Sequence, residues 1–167
     1  TSVTWYGINK AGIAYSEDWE SGSFLTNGWT TVNNGTNAWY VSTATTSGGT
    51  YSAYISNDGG TTNAYTDTLA QVSHFYKDIT FPDGNVTLTF NWKCWGENAG
   101  AATSYDYGTV VIANTSSTPI AGSEVSTVKA SAGGNGRVGG DPTYGKFNLV
   151  YGGANSNWHS ETINMSS

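Results

Sequence analysis

The stretch Asn85–Trp95, NVTLTFNWKCW, alternates strictly: Val86, Leu88, Phe90, Trp92 and Cys94 on one side, Thr87, Thr89, Asn91 and Lys93 on the other. A period of two over this length predicts a β-strand with one face in a core and one toward water. It turns Cys94 inward as a small buried thiol without a reactive role, because no His or acid stands at an activating spacing. FPDGN, residues 81–85, reads as the turn before it and makes HFYKDITF, residues 74–81, its expected neighbour strand.

Working outward, the same reading predicts strands in GIAYSEDW (12–19), NAWYVST (37–43), TYSAYIS (50–56), YDYGTVVIAN (105–114), KFNLVYG (146–152) and HSETINM (159–165). Turns rich in Gly, Asn and Ser separate them, and no helical period runs between. Many short strands at this spacing predict an all-β fold, a jelly-roll-like antiparallel β-sandwich. At 167 residues the chain suits one domain. Residues 1–13 read as a linker or an added edge strand, and residues 14–167 as the sandwich.

Composition removes whole classes of partner. Six Lys and Arg against 12 Asp and Glu give a formal charge of −6, which repels a phosphate backbone, so nucleic acid is not expected. No apolar run approaches the roughly 18 residues of a membrane span, so membrane insertion is not expected either. One cysteine forms no internal disulfide.

Several motifs fail on their chemistry. GNGRVG, residues 134–139, matches the dinucleotide-binding glycine spacing, but that site needs a following helix, and GDPTYGKF follows instead. It reads as a loop between strands. His74 and His159 share no zinc-ligand spacing and read as strand residues. There is no G-x-S-x-G elbow. Glu17, Glu20, Glu97, Glu124 and Glu161 form no spaced acidic pair of the kind glycoside hydrolysis uses, so the chain is not expected to be an enzyme.

The acidic segment SEDWESGSFLTNGW, residues 16–29, leaves two readings open. Calcium takes six to eight oxygen ligands and accepts irregular loops, so Glu17, Asp18 and Glu20 are candidate ligands, with Asp106 in YDYG the first candidate to join them. In a regular strand Glu17 and Trp19 face one way and Asp18 and Glu20 the other, so at most two carboxylates converge without a bulge. The alternative is a solvated acidic turn.

EDWESGSFLTNGWT, NAWYVST, YSAYISNDGGTTNAYTDT, SHFYKDITFP, VTLTFNWKCWGE, YDYGTVVI and NWHSETINMSS together resemble the choice-of-anchor J domains of Bacteroidota surface proteins. These are similar to the cleaved-adhesin domains of gingipains and, more distantly, to MAM domains. The resemblance covers about residues 14–167. It implies a jelly-roll sandwich, secretion to the cell surface, a non-catalytic adhesive role and calcium near the opening acidic strand. The implied partners are a glycan, a host or surface protein, and other domains of a larger surface protein. It also implies further strands after SETINMSS (160–167), so the domain is expected to lack its final strands here. DTL, residues 67–69, resembles the Bacteroidota O-glycosylation signal, with Thr68 the acceptor. Asn34, Asn85, Asn114 and Asn164 open N-x-S/T triplets, which matter only on a eukaryotic secretory route.

Jelly-roll sandwiches also carry carbohydrate-binding modules of secreted polysaccharide-degrading enzymes, which is the alternative function. A sugar site needs exposed aromatic faces among amides and hydroxyls. Trp19, Trp29, Trp39, Trp92 and Trp158 sit in segments matching the family's structural pattern and read as core. Trp95 falls past the strand end in CWGENAG, and with Tyr105, Tyr107 and Trp5 makes up the candidate ligand contacts.

Overall fold

The computed structural model describes residues 15–81, 84–97, 104–130, 135–152 and 157–165. Trp5, one of the candidate ligand contacts, lies outside them, as do the 1–13 segment, the Pro82–Asp83 part of the expected turn and Gly134 of the glycine motif. The fold is all-β, built of small antiparallel sheets.

The alternating stretch forms the strand it predicts. Over β5 (Val86–Trp92), Val86, Leu88, Phe90 and Trp92 are buried while the residues between them are half-exposed. Its partner is β8 (His159–Met165), in antiparallel register from Val86 opposite Met165 to Trp92 opposite His159. β2 (Ala38–Ser42) pairs with β3 (Ser52–Ser56), and both expected strands are present. β1 (Thr30–Val32) pairs with β4 (His74–Tyr76), and β6 (Val110–Ile112) with β7 (Gly136–Val138). His74 and His159 both lie in strands, as expected.

Four expectations are corrected. β4 joins β1 and not β5, so sequence adjacency across FPDGN does not set the pairing. The residues from Tyr15 to Trp19 form no strand, because carboxylates there take backbone N–H groups that a ladder would need: Trp19 N donates to Glu17 Oε1 at 3.0 Å and Glu20 N to Asp18 Oδ1 at 3.0 Å. KFNLVYG makes one bridge, Phe147 to Gly108, and then a helical turn α1 (Leu149–Gly152). Asn148 caps that turn by accepting the Tyr151 N–H at 2.9 Å, a local bond that overrides the alternation. The glycine motif is not only a loop, since its Gly136–Val138 part is β7.

The core is aromatic. Trp19, Phe24, Trp29, Leu88, Phe90, Trp92 and Phe147 are buried together, with Trp39 and Phe75 packed against them. Phe75 is the hub, with ring centroids 4.7–5.6 Å from Trp39, Phe24, Trp29 and Trp19. Most of these contacts are edge-on or tilted, the arrangements ring quadrupoles favour. The reading of Trp19, Trp29 and Trp92 as core holds, while Trp39 and Trp158 are half-buried.

Candidate ligand-binding cleft

A cleft of about 200 Å³ opens on the surface of the described residues. Trp95, Tyr105, Asp106 and Tyr107, all singled out from the sequence, line it together. Trp95 is 48% exposed and Tyr105 69%, in contrast to the buried tryptophans of the core. Their chain positions differ by ten residues: Trp95 stands just past the end of β5 and Tyr105 on the approach to β6.

A hydrogen-bonded polar floor lines the same cleft. Asn37 Nδ2 donates to the Thr66 carbonyl at 2.9 Å while its Oδ1 accepts the Thr66 N–H at 2.8 Å, so one side chain bridges two segments as a strand would. Gln71 Oε1 accepts the Asn37 N–H, and Ser73 Oγ donates to the Asn37 carbonyl. Trp39 Nε1 donates to the Ser73 carbonyl at 2.9 Å. The amide and hydroxyl groups here are thereby fixed in direction before any ligand arrives.

Asp106 is the one carboxylate lining the cleft among the described residues. Its Oδ2 accepts the Tyr65 hydroxyl at 3.0 Å and the Glu97 N–H at 2.6 Å. Burial, and then the bond to Asp106, push the Tyr65 hydroxyl far above its ordinary range, so it stays a donor at any ordinary pH. Tyr107 is a wall of a different kind. Its hydroxyl donates to Glu124, its ring lies 4.0 Å from Lys146 Nζ, and Glu124 pairs with the buried Arg137 at 2.8 Å. Burial, with the bond to Glu124, raises that hydroxyl's pKa too. Cys94 lines the cleft half-buried, its thiol pushed up to about 11 by burial, which makes it a poor nucleophile. Lys93 is lowered by burial, and its ammonium lies 5.5 Å from the Trp158 ring.

The acidic segment is arranged otherwise. Glu17 is 2% exposed; its Oε1 accepts from Asn27 Nδ2 and Trp19 N, and its Oε2 from Trp29 Nε1 at 2.8 Å. Glu20 Oε1 accepts the N–H groups of Thr50 and Tyr51, which lower its pKa. Asp18 turns to Glu20 N, and Asp106 lies in the cleft. The four carboxylates proposed from sequence as calcium ligands thus face separate donor sets, and no three His, Cys, Asp or Glu converge for a metal among the described residues. Thr68 is exposed in the turn before Leu69, which also lines the cleft.

Sequence reasoning missed Asn37, Tyr65 and Gln71. The available signal was Tyr65, an aromatic inside the otherwise polar loop NDGGTTNAYTDT. No known protein family, curated protein or solved structure matches the chain.

Proposed function

We propose that this chain is a non-catalytic module of a secreted bacterial surface protein, and that it binds an uncharged glycan through the cleft. The observation that carries the reading is the pair of exposed aromatic rings, Trp95 and Tyr105, in one cleft with a polar floor already fixed by internal hydrogen bonds. Sugar rings present apolar C–H faces to such rings and hydroxyls to the amides around them. A single lining carboxylate among the described residues and a thiol of raised pKa support binding over catalysis, since glycoside hydrolysis uses two facing carboxyls. Asp106 in the cleft and a formal charge of −6 favour neutral over acidic sugars. Placement at a bacterial surface is supported by the segment resemblance.

A glycan array in millimolar calcium, repeated after chelation, tests this. The expected result is binding to neutral glycans that Trp95→Ala weakens about thirtyfold. Loss on chelation would bring calcium into the reading as a stabilising ion. Absence of glycan binding in both buffers would overturn it in favour of a protein-binding adhesive unit.

A further inference from the structure

Three separate segments each bring a ring to the cleft: Tyr65 from the loop after β3, Trp95 from the end of β5, and Tyr105 from the approach to β6. They meet at one carboxylate oxygen. Asp106 Oδ2 ties the Tyr65 hydroxyl to the Glu97 N–H, and Asp106 is itself the chain neighbour of Tyr105. Between Trp95 and Glu97 stands Gly96, at φ 141°, where a side chain has no room. A Cβ built there lies 2.4 Å from both Asp106 Cβ and Tyr65 Oη, and 2.7 Å from Asp106 Oδ2. Glycine is what lets the backbone that carries Trp95 come against the carboxylate.

We infer that Asp106 is the positioning residue of this cleft, a latch that holds the Trp95 and Tyr105 segments together in the arrangement a sugar ring meets. The inference rests on the cleft being the binding site. It gives Asp106 a role that needs no metal. Held in place, the rings lose less freedom on binding, so the latch acts on affinity through preorganisation. The Glu97 N–H bond joins a backbone donor to an ionised acceptor, the stronger class of hydrogen bond, and the Tyr65 bond adds a second tether from another loop.

The chain contains its own reporter. Cys94 is the sole cysteine, adjoins Trp95 and lines the same cleft, so its labelling by an aromatic disulfide reagent reads local opening of the latched segment, once each variant's rate is divided by its own titrated thiolate fraction, because the Asp106 charge also raises the thiol's pKa. Labelling is followed in the wild type, Asp106→Ala, Asp106→Asn and Tyr65→Phe, with thermal melts alongside and binding of cellohexaose, xylohexaose, laminarihexaose and mannohexaose measured for each. Loss of a hydrogen bond to a charged group predicts labelling at least about tenfold faster in Asp106→Ala, and about threefold faster in Tyr65→Phe. Asp106→Asn, which keeps an acceptor oxygen, restores slow labelling. Any hexasaccharide that binds the wild type binds Asp106→Ala at least about tenfold more weakly and Asp106→Asn nearly as well.

Should Asp106→Ala fail to fold, Tyr65→Phe and Asp106→Asn carry the test. Labelling within twofold of wild type in the folded variants overturns the latch. Accelerated labelling in Tyr65→Phe with no binding of any hexasaccharide to the wild type leaves the latch standing and removes the glycan reading instead.

Discussion

Two regions of this molecule are built from the same residue types and end in opposite states. Around Glu17, a carboxylate and several tryptophans close on one another: Glu17 is buried under N–H donors from Trp19, Asn27 and Trp29, and the rings pack edge-on about Phe75. Around Asp106, a carboxylate and several aromatics stop short of closing, and Trp95 and Tyr105 remain in solvent. Folding consumes the first set of groups, whereas the second is ordered by hydrogen bonds and left open to solvent. An ordered but uncovered aromatic surface is what recognition of a sugar face requires.

The sharpest way to break the comparison is to remove a ring from the closed region. Phe75→Ala takes out the hub of four ring contacts and is expected to cost about 4 kcal/mol, seen as a large fall in the denaturant midpoint. Glu17→Ala removes the buried carboxylate that accepts from the Trp29 indole, the Asn27 amide and the Trp19 N–H, and about 3 kcal/mol of destabilisation should follow by the same measurement. Were Glu17→Ala neutral, the buried carboxylate would not be the clamp described here.

Trp95→Ala tests the open region from the other side. An exposed ring outside the core should change stability by less than about 0.5 kcal/mol while weakening glycan binding about thirtyfold, as central aromatic contacts do. A stability loss comparable to Phe75→Ala would erase the distinction between the two regions.

The smallest effect concerns acid. Asp58 is held down to about 2 from an ordinary 3.8 by the Ser56 hydroxyl first, then by the Thr62 backbone and side chain. A depressed carboxyl stabilises above its unfolded value, and that contribution fades as pH falls from about 3.8 through about 2. Hydrogen-exchange protection of the Asp58–Thr62 turn, relative to the intrinsic rate at each pH, should fall over that window, with β5 and β8 unaffected. A uniform loss of protection everywhere would assign acid sensitivity to the core instead.

How much of this was legible in the sequence follows from what each feature depends on. The alternation in β5 survives because one face is buried and the other wet, a condition written residue by residue. Trp95 was legible for a related reason, since it stands just where that alternation ends. Pairing was not legible: β4 joins β1 across more than forty residues, and a turn at FPDGN says nothing about that partner. The Tyr15–Trp19 segment and KFNLVYG were misread because Glu17, Asp18 and Asn148 bond to nearby backbone, and such bonds compete with strands without altering the apolar pattern. The cleft floor escaped because Asn37, Thr66 and Gln71 become neighbours only once the loops fold back.

The central claim is that a glycan meets the open aromatic region and leaves the closed one untouched. The chain's seven tryptophans provide seven indole N–H signals, and Trp95→Phe identifies one of them. Titration with a glycan that the array returns should move the Trp95 signal while those of Trp19, Trp29 and Trp92 stay still. A stationary Trp95 signal under saturating ligand, or shifts confined to the other indoles, would contradict the account.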